Sequence, residues 1–124
     1  MPARVALVDD DASVRKALTR LLESAGLQVL ACASAAEFLD SVLPKTPECL
    51  ILDIHLGGMS GLELLARLRS TGHELPTVLI TAHDDPQNRR LAAECGCTAY
   101  LLKPLDASVF LKEVFGAMKR EMPR

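Results

Sequence analysis

The sequence predicts a doubly wound α/β sandwich, a parallel five-stranded sheet with helices on both faces. Three observations predict it. Short apolar runs recur at "RVALV" (4–8), "CLIL" (49–52), "TVLI" (77–80) and "AYLL" (99–102), as expected of strands covered on both faces. Between them lie stretches with apolar residues at offsets of three and four, the mark of one-sided helices. Right-handed crossovers then make two helical layers around one sheet the economical way to close five strand–helix repeats.

The elements follow in order. After "RVALV", the residues Val14, Ala17, Leu18, Leu21, Leu22 and Ala25 form one apolar stripe, and Gly26 stops that helix. "LQVLA" (27–31) is the fifth strand candidate, more polar than the rest and so expected near an edge. Ser34-Ala35-Ala36-Glu37 has capping-box spacing and opens a helix carrying Phe38, Leu39, Val42 and Leu43. A third helix is expected after Gly61, with Leu62, Leu65 and Leu68 inward and Gly72 beyond its end. A weaker fourth runs from about Pro86 to Cys95, and the last starts near Asp106 with Ala107, Phe110, Leu111, Val114 and Met118.

The 124 residues suit a single domain, expected over 1–120, with 121–124 as a tail or the start of a linker. Hydrophobic residues make up 49% and aromatics only 3%, so the core must be aliphatic. A net charge of −2 with no long block of one sign argues against direct nucleic-acid or membrane binding. No apolar run is long enough to span a bilayer, and no signal-peptide pattern opens the chain, so a cytoplasmic location is expected. Cys32, Cys49, Cys95 and Cys97 lack zinc-site spacing and read as reduced, half-buried small residues.

The chemistry lies where the apolar runs end. The first ends in Asp9-Asp10-Asp11, the second in Asp53, the third in Thr81 and the last in Lys103-Pro104. In open α/β sheets the ligand crevice lies beyond the carboxyl ends of the strands, so neighbouring strands would bring these groups into one pocket. Clustered carboxylates need a partner to stay ionised, and Mg²⁺ with oxygen ligands is the natural one. Lys103 can meet an anionic oxygen as a point charge and Thr81 can donate a hydrogen bond to it. A carboxylate can attack phosphorus to give an acyl phosphate. Each residue also has a plainer reading, as helix cap, strand-end hydroxyl or solvated charge.

In order and spacing, "VDDD", "LILDIHLGGMSGLELL", "LITAH" and "YLLKP" resemble a response-regulator receiver domain, the phospho-accepting half of two-component signalling. The resemblance runs from Arg4 to about Lys119. "VDDDASVRKAL" with "MSGLELL" is most similar to receivers that precede helix-turn-helix output domains. It implies a flavodoxin-like sheet of order 2-1-3-4-5, a Mg²⁺ cofactor and, as partners, a sensor histidine kinase and an output domain or downstream protein. A homodimer on phosphorylation and a role in transcription are also implied. Asp53 would be the phospho-acceptor. Asp9 and Asp10 would be the acidic pair, Asp10 ligating the metal directly and Asp9 mainly through water, with the His55 backbone carbonyl as a further ligand. Thr81 would be the switch hydroxyl, Lys103 the phosphoryl partner, and Tyr100 the aromatic side chain that turns as Thr81 moves. The Lys103–Pro104 bond is expected to be cis, and Asp11 is expected to cap the first helix.

Two departures stand out. Gly57, four residues after Asp53 and followed by Gly58, stands where receivers of this kind commonly place Pro, so the loop that carries the His55 carbonyl loses a φ restraint. His55 and His83 sit two residues past Asp53 and Thr81, where they would tune dephosphorylation or bind a softer metal across the site mouth, unless they are exposed loop residues without a role. Arg89, Arg90, Glu94 and Lys112 are candidate surface residues of the responding face. The competing readings are a haloacid-dehalogenase-like phosphatase, a flavodoxin-like FMN binder, a degenerate docking receiver, and an output-less receiver acting in a relay or by protein contact. The first would want Asp where His55 stands, and the second a phosphate loop where three aspartates stand.

Overall fold

A computed structural model describes residues 2–123 of the chain. Five strands, β1 (Arg4–Val8), β2 (Gln28–Cys32), β3 (Cys49–Asp53), β4 (Thr77–Thr81) and β5 (Ala99–Leu102), form one parallel sheet of order β2-β1-β3-β4-β5. The expected sheet is therefore present, with "LQVLA" shifted by one residue and at an edge.

Side chains alternate between two cores, as a strand's period of two requires. Val5, Leu7, Ile51, Val78 and Ile80 face α1 (Ala12–Ser24) and α5 (Ala107–Ala117), where Leu18, Leu22, Phe110 and Val114 meet them. Ala6, Val8, Leu50, Leu52 and Leu79 face the opposite layer, with Phe38, Leu64, Leu65, Leu68 and Ala92. That layer contains α3 (Gly61–Ser70) and α4 (Pro86–Glu94).

Caps fall where short polar side chains precede apolar stripes. Asp11 accepts from the Ser13 and Val14 N–H groups, Ser60 from Glu63, Asp85 from Gln87 and Asp106 from Val109. Ser34 accepts from Glu37 N, and Glu37 reaches back to Ala33 N at 2.9 Å. Gly26 follows α1 at φ +89°, a left-handed conformation that glycine adopts without the strain a side chain would bring.

The structure corrects several expectations. The second helix is α-helical only over Ala35–Glu37 (α2) and then widens into a π turn, Phe38–Val42, and a 3₁₀ turn, Leu43–Lys45. Pro44 has no N–H and its ring opposes the carbonyl four residues back, so a regular helix cannot run through it. β5 is not buried on both faces: Leu102 is exposed and its neighbours are half-buried, because an edge strand beside a short helix lacks full cover. Ala17 and Ala107 are exposed, Leu62 is half-buried where Leu64 is fully buried, and Phe115 joins the core. All four cysteines are free, but Cys32 and Cys49 are fully buried rather than half-buried. Burial pushes their thiols up, to about 11 and about 12. Of the segment 121–124, residue 124 lies outside the described residues.

Candidate functional site

Parallel strands end together, so the last residues of β1, β3, β4 and β5 open onto one rim of the sheet. Asp9 follows Val8 directly, and Asp53 and Thr81 are the last residues of β3 and β4. All three are buried: Asp9 and Thr81 are 0% exposed and Asp53 is 5%. Asp10 is exposed at the rim.

Lys103 reaches into this group from the end of β5. Its Nζ donates to Asp9 Oδ2 at 2.9 Å and to Asp53 Oδ2 at 3.1 Å. One ammonium thus joins two carboxylates that would repel each other. The other oxygens are also engaged. Asp9 Oδ1 accepts from the Asp11 N–H (2.9 Å) and Asp53 Oδ1 from the His55 N–H (3.0 Å). Carboxylate oxygens of Asp9, Asp10 and Asp53 lie within 4.8 Å of one another. The Lys103–Pro104 bond is cis.

Electrostatics follow from burial and pairing. Burial raises the Asp53 pKa above the usual carboxylate value; the His55 N–H and the Lys103 hydrogen bond pull the other way without cancelling it, and the Asp9 charge adds to the rise. For Lys103, burial alone would lower the pKa. Hydrogen bonds to Asp9 and Asp53, with their charges, outweigh it and leave the ammonium more firmly protonated.

The donor set fits a hard divalent cation. Three anionic oxygens converge, a cationic ammonium already sits on two of them, and the exposed Asp10 leaves one side open to water or phosphate. Thr81 does not point its hydroxyl into this group as placed. Its Oγ1 donates to the His83 carbonyl (3.2 Å) and accepts from the His83 N–H (3.1 Å). Tyr100 is packed on the core of the α4 side. Its ring is covered by the Arg89 guanidinium at 4.5 Å, and its hydroxyl is buried without a partner among the described residues. His55 and His83 are exposed, with ring centroids 5.2 Å apart.

Two supporting roles escaped the sequence reading, which had Gly61 only as the residue before the third helix, whereas α3 begins at it. Arg15 donates to the Asp9 carbonyl at 2.8 Å and holds the turn after β1. Gly61 is packed so tightly on the end of β3 that a Cβ there would collide with the Asp53 carbonyl oxygen and approach Ile54 Cα to 2.9 Å. A glycine at the first position of a helix, where it is a poor choice on propensity, is the one signal that points to it.

A sequence model of the response regulator receiver domain matches residues 5–115. The chain belongs to the response regulator receiver domain family. This receiver is 38% identical over 122 residues to Nodulation protein W of Bradyrhizobium diazoefficiens, covering 98% of this chain and 54% of that protein. It is 37% identical over 116 residues to the transcriptional regulatory protein FixJ of Azorhizobium caulinodans, covering 94% and 55%. It therefore spans about half the length of these curated relatives. A response regulator receiver protein from Burkholderia phymatum superposes with a TM-score of 0.84 at 40% identity, covering 98% of this chain and 99% of that one. No helix among the described residues is long and apolar enough to cross a membrane.

Proposed function

We propose that this receiver takes a phosphoryl group onto Asp53 from a sensor histidine kinase and passes the change to an output domain or downstream protein. The observation that carries the reading is the ammonium of Lys103 held between Asp9 Oδ2 and Asp53 Oδ2, with Asp10 and Thr81 on the same rim.

In the reaction, Asp53 Oδ2 attacks phosphorus and the phosphorus–nitrogen bond of the donor breaks, leaving an acyl phosphate on Asp53. Burial makes this carboxylate more basic than a free one, which favours attack. Asp9, Asp10, Asp53 and the His55 backbone carbonyl would hold Mg²⁺, which supplies positive charge to the phosphoryl oxygens. Lys103 moves from Asp53 Oδ2 to a phosphoryl oxygen, so its ion pair is exchanged rather than lost. Thr81 leaves the His83 backbone to donate to a second oxygen, giving up two hydrogen bonds of roughly 1 kcal/mol each. Tyr100 then turns, and the α4–β5–α5 face with Arg89, Arg90, Glu94 and Lys112 changes shape. His55 and His83 flank the path of the attacking water and would tune how long the phosphoryl group lasts.

The domain is taken as 1–120 and its location as the cytoplasm, and the half-length match to a transcriptional regulator supports an output domain acting in transcription. The alternative is a free-standing receiver that acts by protein contact or as a relay intermediate. An immunoblot of the native protein separates them: one band at the mass of this chain, or one at about twice that.

The core reading is tested with acetyl phosphate. Intact mass should show one phosphoryl group added in Mg²⁺, none after chelation with EDTA, and none in Asp53→Asn. Labelling of Asp53→Asn to the wild-type extent would place the acceptor elsewhere.

A further inference from the structure

Asp53 and Thr81 end two hydrogen-bonded strands, and each is followed two residues later by a histidine. The two turns are fixed alike. The His55 N–H donates to Asp53 Oδ1 (3.0 Å) and the His83 N–H to Thr81 Oγ1 (3.1 Å). Ile54 N–H to Ile80 O, at 3.1 Å, keeps the strand ends in register. Two anchored backbones therefore deliver two imidazoles side by side, two residues beyond Asp53 and Thr81 on the same rim of the sheet. Their centroids lie 5.2 Å apart and their planes cross at 85°. Both residues are exposed, so core packing does not account for the pair.

The separation suits a shared ion. A metal–nitrogen distance of about 2.0–2.1 Å puts each ring centroid roughly 3.2 Å from the ion, and two such rings at a tetrahedral angle stand roughly 5.2 Å apart. Rotation of either exposed ring about its terminal torsion turns the edge-to-face pair into a chelate without moving the backbone. The geometry points to a second metal site in this receiver: a late first-row divalent ion, Zn²⁺, Ni²⁺ or Cu²⁺, bound by ring nitrogens of His55 and His83 with water in the remaining positions. Imidazole suits these ions and carboxylate suits Mg²⁺, so the two neighbouring sites sort ions by ligand chemistry. An ion there would stand across the approach to Asp53 and slow both phosphoryl arrival and hydrolysis. That consequence rests on the receiver mechanism above; the site itself does not.

The test is Ni²⁺ titration of the full chain in excess Mg²⁺, followed by calorimetry. One tight Ni²⁺ per chain is expected, in the micromolar range, retained in Asp53→Asn and in Cys95→Ser/Cys97→Ser. His55→Gln and His83→Gln should each weaken it about tenfold or more. As an independent readout on the unaltered chain, sub-stoichiometric Ni²⁺ should broaden the imidazole proton signals of His55 and His83 and spare His73. Absence of tight binding, binding that survives both glutamines, or binding lost with Asp53→Asn or with the serine pair would overturn the site. Failure of acetyl phosphate to label Asp53 would overturn the phospho-acceptor reading and leave the Ni²⁺ result standing.

Discussion

Lys103 holds together two carboxylates whose strands are separated by more than forty positions in sequence, and its removal should expose their repulsion. In Lys103→Met, Asp9 and Asp53 keep their backbone donors but lose the shared cation. Thermal or urea unfolding should show a loss of roughly 2–3 kcal/mol in metal-free buffer, since a hydrogen-bonded charge is left partly unpaired. Added Mg²⁺ should recover part of it; an unchanged midpoint would mean that the bridge carries no net stability. Asp53 behaves in the opposite sense. Its pKa is raised by burial, so the folded state holds the proton more tightly than the unfolded chain. Stability contributed by protonated Asp53 is lost as pH rises through the interval between its unfolded and folded values, and above it the ionised group is a standing cost. Asp53→Asn should therefore melt higher than the parent at neutral pH without metal, the gap closing as pH falls through the carboxylate range; a gap independent of pH would remove the burial argument. That Asp9, Asp10, Asp53, Thr81 and Lys103 gather at one rim was legible because each apolar run stops abruptly at an ionisable or hydroxyl group. Arg15 and Gly61 were not, because what each does depends on the backbone of another turn or segment, which no local pattern records.

At the scale of elements, α3 is placed by contact rather than propensity. Gly61 N–H donates to the Ile54 carbonyl at 2.9 Å, and the helix starts directly against the end of β3. Gly61→Ala raises helix propensity yet should lose about 2 kcal/mol, because backbone must shift to admit the methyl group. The same shift disturbs the Asp53 carboxyl, so acetyl phosphate labelling should slow as well; a more stable, normally labelled variant would show that the contact relaxes freely. On α4, Arg89 joins Asp84 at 2.9 Å and lies over Tyr100, tying the loop after β4 to the ring expected to move. The chain has one Tyr and no Trp, so its emission reports that ring alone. Arg89→Ala should cost about 1 kcal/mol, because its ion pair with Asp84 is exposed and its guanidinium lies on the outer side of a half-buried ring. It should also bring the emission change on adding Mg²⁺ and beryllofluoride to lower ligand concentration. Identical titration curves would exclude Arg89 as a restraint. The strands and helix starts were legible from apolar runs and capping residues. The widened turn after α2 and the open face of β5 were not, since they depend on Pro44 blocking a hydrogen bond and on how little of β5 the neighbouring helix covers.

Across the whole molecule, two cores, largely aliphatic with Phe38, Phe110 and Phe115 among them, stabilise the sheet while its carboxyl rim gathers negative charge against the one ammonium that pairs with its carboxylates, Lys103. The fold thus spends stability on one edge, and a cation at that edge should return it. A ligand that binds only the folded state stabilises by RT ln(1 + [L]/Kd), about 1.4 kcal/mol at a tenfold excess over Kd. For a domain of this size that is a rise of a few degrees in Tm. Mg²⁺ should produce such a rise, and Asp10→Asn should abolish most of it, because the exposed carboxylate is the one that no ammonium already occupies. Sodium chloride at matched ionic strength should give much less, since screening weakens long-range repulsion but supplies no ligand-bound charge. If sodium and magnesium raise Tm equally, the rim is relieved by screening alone, and the carboxylate trio is an acidic edge rather than a metal site.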